Sequence, residues 1–197
     1  TVSIIGLRAF LFFQPVHIDI FFWTLIFYLT IRYVNTTSDK YLLLLGITAG
    51  AGLLNKYLLG LLILMLLIIV PFTRYRTIFT RRKFWIGLLA GFIVFLPNLI
   101  WQLVNGLPVL NHLAELERTQ LANVDRTAFI IEQLIIPGMA SVLTIAGIIH
   151  LFMSRKAWQY RFLGIVAMGV ILSLMMMRGK NYYTMGVFPF LMAAGAV

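Results

Sequence analysis

Long apolar runs alternate along the chain with short polar breaks, most of them basic. The apolar stretches cover residues 18–34, 41–54, 57–72, 84–101, 137–153, 162–177 and the run from Gly186 onward. Each is a candidate spanning helix, because a bilayer core of about 30 Å accommodates about 20 helical residues. A closed β-barrel would need short strands of alternating polarity, whereas 41–45 and 57–71 hold no polar side chain but the Tyr hydroxyls. Residues 1–13 read as a span end or an interfacial helix. The predicted fold is therefore all-α: a polytopic transmembrane helical bundle of about seven spans, forming a single domain over residues 1–197.

Charge placement orders these runs. Arg32 and Lys40 precede the stretch 41–72, and Arg74, Arg76, Arg81, Arg82 and Lys83 follow it, so the positive-inside rule sends both flanks to the cytoplasm. Two crossings, or a re-entrant hairpin, must lie between them, with the turn at Asn55 and Lys56 facing outward. Helices of about 15 residues rise only about 22 Å, so this turn is expected in a thinned or protein-lined outer region. The run 84–101 then leads outward to an external loop at 102–136, and 137–153 returns to Arg155, Lys156 and Arg161. Ten of the sixteen Lys and Arg fall inside by this reading, beside the single acid Asp39, and the other five acids fall outside.

The external loop opens on Asn105-Gly106-Leu107-Pro108, a turn signal. Leu110, Leu113 and Leu116 then recur at helical spacing beside Glu115, Glu117 and Arg118, the pattern of an amphipathic helix on the membrane surface. Asp125 is placed to cap the next helix, and Pro137 to bend or restart it.

Composition agrees with this picture. The chain is 61% hydrophobic and 11% charged, with mean hydropathy +0.96, against roughly half apolar and a quarter charged in soluble domains. Its net charge of +10 would suit nucleic acid, but the basic residues sit in clusters between apolar runs rather than along one polar face. Nucleic acid is thus not an expected partner; membrane lipids are. With no cysteine, disulfides, thiolate metal sites and cysteine nucleophiles are excluded. The chain opens at Thr1 and stops within the apolar run 188–197, which suggests a piece of a longer protein. Gly46-x-x-x-Gly50 and Gly87-x-x-x-Gly91 lie inside apolar runs and predict close helix packing, not phosphate loops. Asn35-Thr36-Thr37 matches a glycosylation sequon but falls in a cytoplasmic loop.

The topology gathers Asp19, Lys56, Arg178, Lys180, Tyr182 and Tyr183 at the outer edge of the apolar helices. An ionisable group within a span costs about 2.5 to 3.5 kcal/mol at the centre and less toward the interface. A lipid-linked phosphate would account for it. Lys56, Arg178 and Lys180 supply positive charge for such a phosphate, and the phenols of Tyr182 and Tyr183 can hydrogen-bond its oxygens. The plainer reading is interfacial anchoring by aromatic and snorkelling basic residues. It applies least to Lys56, whose only polar neighbour in sequence is Asn55. Asp19 is the candidate catalytic residue: it has the chemistry to orient an acceptor, assist a base, or bind a metal with His17, or it is simply an acid favoured near a helix start. Two ligands make a weak metal signal, so no cofactor is expected. His112 lies in the external loop within reach of a substrate, where a solvated histidine is the ordinary case. His150, inside an apolar run, reads as packed and hydrogen-bonded.

Three stretches carry a family resemblance. They are Gln14-Pro15-Val16-His17-Ile18-Asp19-Ile20-Phe21-Phe22-Trp23, Gly52-Leu53-Leu54-Asn55-Lys56-Tyr57, and Gly179-Lys180-Asn181-Tyr182-Tyr183 with Phe188-Pro189. Asn98-Leu99-Ile100-Trp101 fits the same pattern. The chain resembles the dolichyl-phosphate-mannose protein mannosyltransferases, in the bacterial branch that includes aminoarabinose transferases. The resemblance implies a multispanning glycosyltransferase of the C superfamily in the bacterial inner membrane, acting on the external side. It implies transfer from a polyprenyl-phosphate sugar donor to a lipid, protein or glycan acceptor, with inversion. By position, Asp19 corresponds to the family's acid after the second external segment, Lys56 to the lysine of the short-helix turn, and Lys180, Tyr182 and Tyr183 to its late phosphate-binding motif. The family's main acidic motif lies in a first external loop upstream of anything present here, which implies a catalytic base outside this chain. Asn55 stands where the family often has threonine, leaving donor specificity open.

Two other readings use the same residues. A transporter or lipid flippase would route substrate along these charges and calls for repeated broken helices, of which the sequence offers one, near Lys56. A non-catalytic assembly subunit would tolerate changes at the outer-edge charges.

Overall fold

The computed structural model describes residues 15–121 and 124–197; the segment 1–13, read above as a span end, lies outside them. The described residues hold nine α-helices: α1 Pro15–Thr36, α2 Lys40–Asn55, α3 Leu59–Ile69, α4 Arg82–Val104, α5 Pro108–Leu116, α6 Arg126–Ile135, α7 Ser141–Met153, α8 Arg161–Met176 and α9 Phe188–Gly195. No strand occurs among the described residues. Every predicted apolar run is helical.

The expected seven spans are not all matched in length. Three helices, Pro15–Thr36, Arg82–Val104 and Trp158–Met176, are long and apolar enough to cross a membrane. The count rises to five if each of two bent pairs is one span: Leu59–Phe72 with Arg74–Thr80, bent by 110°, and Arg126–Ile135 with Gly138–Met153, bent by 94°. Proline ends the regular α-helix at or before both breaks, and the 110° bend itself falls at Thr73, in extended backbone. Pro71 sits in the 3-10 turn Val70–Phe72, and Pro137 immediately precedes the 3-10 turn Gly138–Ala140, where a missing N–H and a fixed φ end the regular helix. Apolarity continues through both breaks, so periodicity alone does not reveal them. The Asp125 cap does form: its Oδ1 accepts from Thr127 N at 2.9 Å.

Glycine sets the closest packing. Helices α2 and α4 meet backbone to backbone, and a Cβ on Gly46 would lie 1.9 Å from Gly87 O, one on Gly50 2.1 Å from Gly91 O. The two predicted small-residue faces thus pack on each other. A second seam joins α7 and α9, where a Cβ on Gly147 would lie 1.9 Å from Leu191 O and one on Gly195 2.0 Å from Leu143 O. Between the seams α1, α3 and α8 form the core, with Trp23, Leu59, Leu62, Leu163, Val166 and Val170 fully buried, and Phe27 stacked on Phe190 at 4.4 Å. The outward faces are apolar as well: Leu89, Ile93 and Val142 are 59%, 57% and 73% exposed. Such a surface suits lipid rather than water.

Contacts sort the polar loops to two ends. At one end Arg74 donates to Tyr75 and Gln159, Tyr160 donates to Asn35, and Arg32 donates to the Tyr41 hydroxyl. At the other, Asn55 donates to Pro15 O and Lys56 pairs with Asp19. Asp19 and Asn35 lie on the same helix, so about 24 Å of rise at 1.5 Å per residue separates the two ends.

Candidate functional site

The turn from α2 to α3 is built to present Lys56. Gly52 permits the chain to fold back, since a Cβ there would lie 2.2 Å from Leu59 Cδ2 and 3.0 Å from Phe22 Cγ. Lys56 leaves the helix in extended backbone, its N–H donating to Gly52 O at 3.0 Å. The Asn55 amide donates to Pro15 O at 3.0 Å, which pins the turn to the start of α1. Asn55 thus holds the turn in place.

Asp19 lies one turn further along α1, 5% exposed. Its Oδ2 is 3.5 Å from Lys56 Nζ, and its Oδ1 accepts from the Trp23 indole at 3.0 Å. Each carboxylate oxygen thus has one partner. Trp23 is fully buried, and Gly186 is why it fits: a Cβ there would lie 2.3 Å from Trp23 Cγ. The segment before α9 thereby supports the acid on α1.

The Lys56 ammonium lies 4.7 Å from the Tyr183 ring centroid and 5.5 Å from that of Tyr182, within cation–π range. The two rings meet edge to face at 4.9 Å. Lys180 Nζ is 5.9 Å from the Tyr182 ring. Burial pushes the Tyr183 phenol up to about 12, so it keeps its proton at any working pH and stays a donor. The 3-10 turn Asn181–Thr184 is anchored by Thr184, whose hydroxyl bonds Gln133 of α6.

Asp19, Lys56, Lys180, Tyr182 and Tyr183 are therefore brought together. Arg178 stands two residues before Lys180, exposed and in left-handed backbone at φ 53°. His112 is exposed on α5, and no described contact joins it to the cluster. Sequence reasoning missed Trp23, although an indole four residues after an acid on one helix is a visible signal. It also missed a polar latch: Tyr57 donates to Asn98 Oδ1 at 2.5 Å and accepts from Gln102 at 2.9 Å, while Gln102 Oε1 accepts from Val109 N at 3.2 Å. This latch ties the Lys56 turn to the end of α4 and the start of α5.

Comparison with known families decides the class. The model of the dolichyl-phosphate-mannose-protein mannosyltransferase family matches residues 1–101, just over half of the 197-residue chain. The chain belongs to this family. Membership makes it an integral membrane glycosyltransferase of the mannosyltransferase type. No curated protein and no solved structure matches the chain. The family match covers Asp19 and Lys56 and ends before Lys180, so the association of the late tyrosines with Lys56 rests on the geometry above.

Proposed function

We propose that this cluster binds the phosphate of a polyprenyl-phosphate sugar and stabilises it as the leaving group. The observation that carries the reading is Lys56, held between a buried carboxylate and the faces of two tyrosines, with a second lysine beside them. As the glycosidic C–O bond breaks, negative charge grows on the phosphate, and preorganised cations and phenol donors lower the barrier to that charge. The faces of the rings meet the ammonium, and Tyr183 is hydrogen-bonded to Tyr182, so the pair presents the Tyr182 hydroxyl to a phosphate oxygen. Asp19, with both oxygens engaged, acts here as a positioning residue for Lys56 rather than as the base. Proton removal from the acceptor then falls to another group.

On this reading the seven apolar helices form one transmembrane domain of the bacterial inner membrane. The Lys56 end faces outward, and residues 102–136 form an external loop. The opposite end carries Arg32, Arg74 and the other clustered cations, the distribution expected of a cytoplasmic face.

In the full-length protein, Lys180→Ala is expected to lower transfer from a radiolabelled polyprenyl-phosphate sugar about 100-fold, with insertion and melting temperature unchanged. Wild-type turnover would remove the phosphate assignment. Sidedness is checked in intact cells: a His112→Cys variant should react with a membrane-impermeant thiol reagent and an Arg82→Cys variant should not. The chain brings no cysteine of its own. Labelling at position 82 alone inverts the orientation.

A further inference from the structure

A groove opens at the other end of the bundle, away from Lys56. It is open along one side and holds about 130 Å³ of free volume, a narrow slot below the roughly 300 to 1,000 Å³ of a pocket that encloses a whole small molecule. Its walls are the halves of α1 to α4 nearest the basic loops, together with the 3-10 stretch Arg74–Thr80. Leu45, Leu66, Phe79, Phe84 and Leu88 are among the lining side chains. The single polar side chain there, Thr30, donates back to Ile26 O at 2.7 Å. The groove therefore offers an occupant no hydrogen bond, which disfavours a sugar or polar peptide and suits an alkyl chain.

The rim supplies the other half of a ligand. Phe79 and Phe84, both in the wall, bracket Arg81, Arg82 and Lys83, which are exposed and have no carboxylate partner among the described residues. Arg32 bonds the neutral Tyr41 hydroxyl at 3.0 and 3.1 Å, and Lys40 lies 5.1 Å from the same ring. Five cations thus face one acid, Asp39. Trp85, 55% exposed, donates from its indole to Phe79 O at 2.8 Å, an amphipathic ring of the type that sits at headgroup depth.

We propose that the groove holds an acyl chain of an anionic phospholipid, with its headgroup phosphate on Arg81, Arg82 and Lys83. Charge selects this occupant. A zwitterionic lipid or an apolar helix of another polypeptide would fill the groove but leave the rim cations uncompensated, whereas each basic residue near an anionic lipid favours binding roughly fivefold. Its nearest lining residue on α2, Ala49, lies about 10 Å of helix from Lys56 and the rim cations lie farther, and the site does not depend on the donor assignment.

The test uses the full-length protein in mild detergent, with native mass spectrometry counting retained phosphatidylglycerol and phosphatidylcholine. The wild type should prefer phosphatidylglycerol about tenfold or more. The triple variant R81Q/R82Q/K83Q should bring that preference near parity, and Leu67→Trp, which narrows the groove from a lining position, should reduce retention of both lipids. Neutralising Arg155 and Lys156, basic residues outside the groove lining, should leave the preference unchanged. Melting temperature in lipid-free detergent confirms that each variant is folded. Equal retention of the two lipids by the wild type overturns the proposal. So does an undiminished preference in the triple variant, an equal loss in the Arg155 and Lys156 variant, or a second polypeptide crosslinked into the groove.

Discussion

Replacing Lys56 with alanine is expected to reduce sugar transfer by about 100- to 1,000-fold, the usual consequence of removing one preorganised group from a developing anion. The same change strands Asp19, whose Oδ2 loses its ammonium partner in a site where the carboxylate is 5% exposed. Breaking a buried pair by removing one member costs about 3 to 5 kcal/mol, so lost activity alone would not separate a chemical role from a folding role. The double variant Asp19→Asn, Lys56→Met separates them. Asparagine keeps an oxygen for the Trp23 indole, methionine keeps the length of the side chain between the tyrosine rings, and no uncompensated charge remains. Melting temperature should return toward wild type while transfer stays low. A double variant that transfers sugar at the wild-type rate would make Lys56 a structural residue only.

Gly46→Ala is expected to produce the largest loss of stability. The added methyl would lie 1.9 Å from Gly87 O and 2.7 Å from Gly87 Cα. Both are backbone atoms, so no side chain can rotate away and the two helices must separate along their whole seam. Overpacking costs typically 1 to 3 kcal/mol, and an obstruction made of backbone belongs at or above the upper value, about 3 kcal/mol. Gly60→Ala is the matched control, because its Cβ would meet only Leu53 Cδ2 at 3.5 Å, and alanine is the better helix former. Unfolding in a graded denaturing detergent should show Gly46→Ala strongly destabilised and Gly60→Ala equal to or above wild type. Equal behaviour of the two would mean that the glycine contact does not hold the pair together.

Much of this architecture was legible because apolar runs and basic breaks are strong signals in a membrane chain. The glycine faces at 46/50 and 87/91 were legible too, since four-residue spacing puts both small residues on one face. The α7–α9 seam was not: it rests on Gly147 and Gly195, one close approach from each helix, and a lone glycine carries no spacing to read. The bend at Pro137 was legible as a proline, whereas the one after Phe72 was not, because the backbone turns at Thr73 just past a continuous apolar run. In the site, Asp19, Lys56, Lys180 and the two tyrosines were singled out as costly polar groups at apolar ends. Their pairing was hidden, because an acid and a lysine 37 residues apart in sequence meet only when Asn55 bonds the first residue of α1. The structure adds most at Asp19, giving it Trp23 and Lys56 as partners.

The two glycine seams give the molecule a division of labour. Close backbone approach at glycine makes α2 with α4, and α7 with α9, each pack as one block. Lys56 is mounted on the first block through α2 and the Tyr57–Asn98 latch, while Tyr182 and Tyr183 precede α9 of the second. The 4.7 Å gap between ammonium and ring is therefore a gauge of the distance between the blocks. On the proposed function, any motion that parts them far enough to release a spent lipid carrier must also dismantle the charge cradle that would hold it.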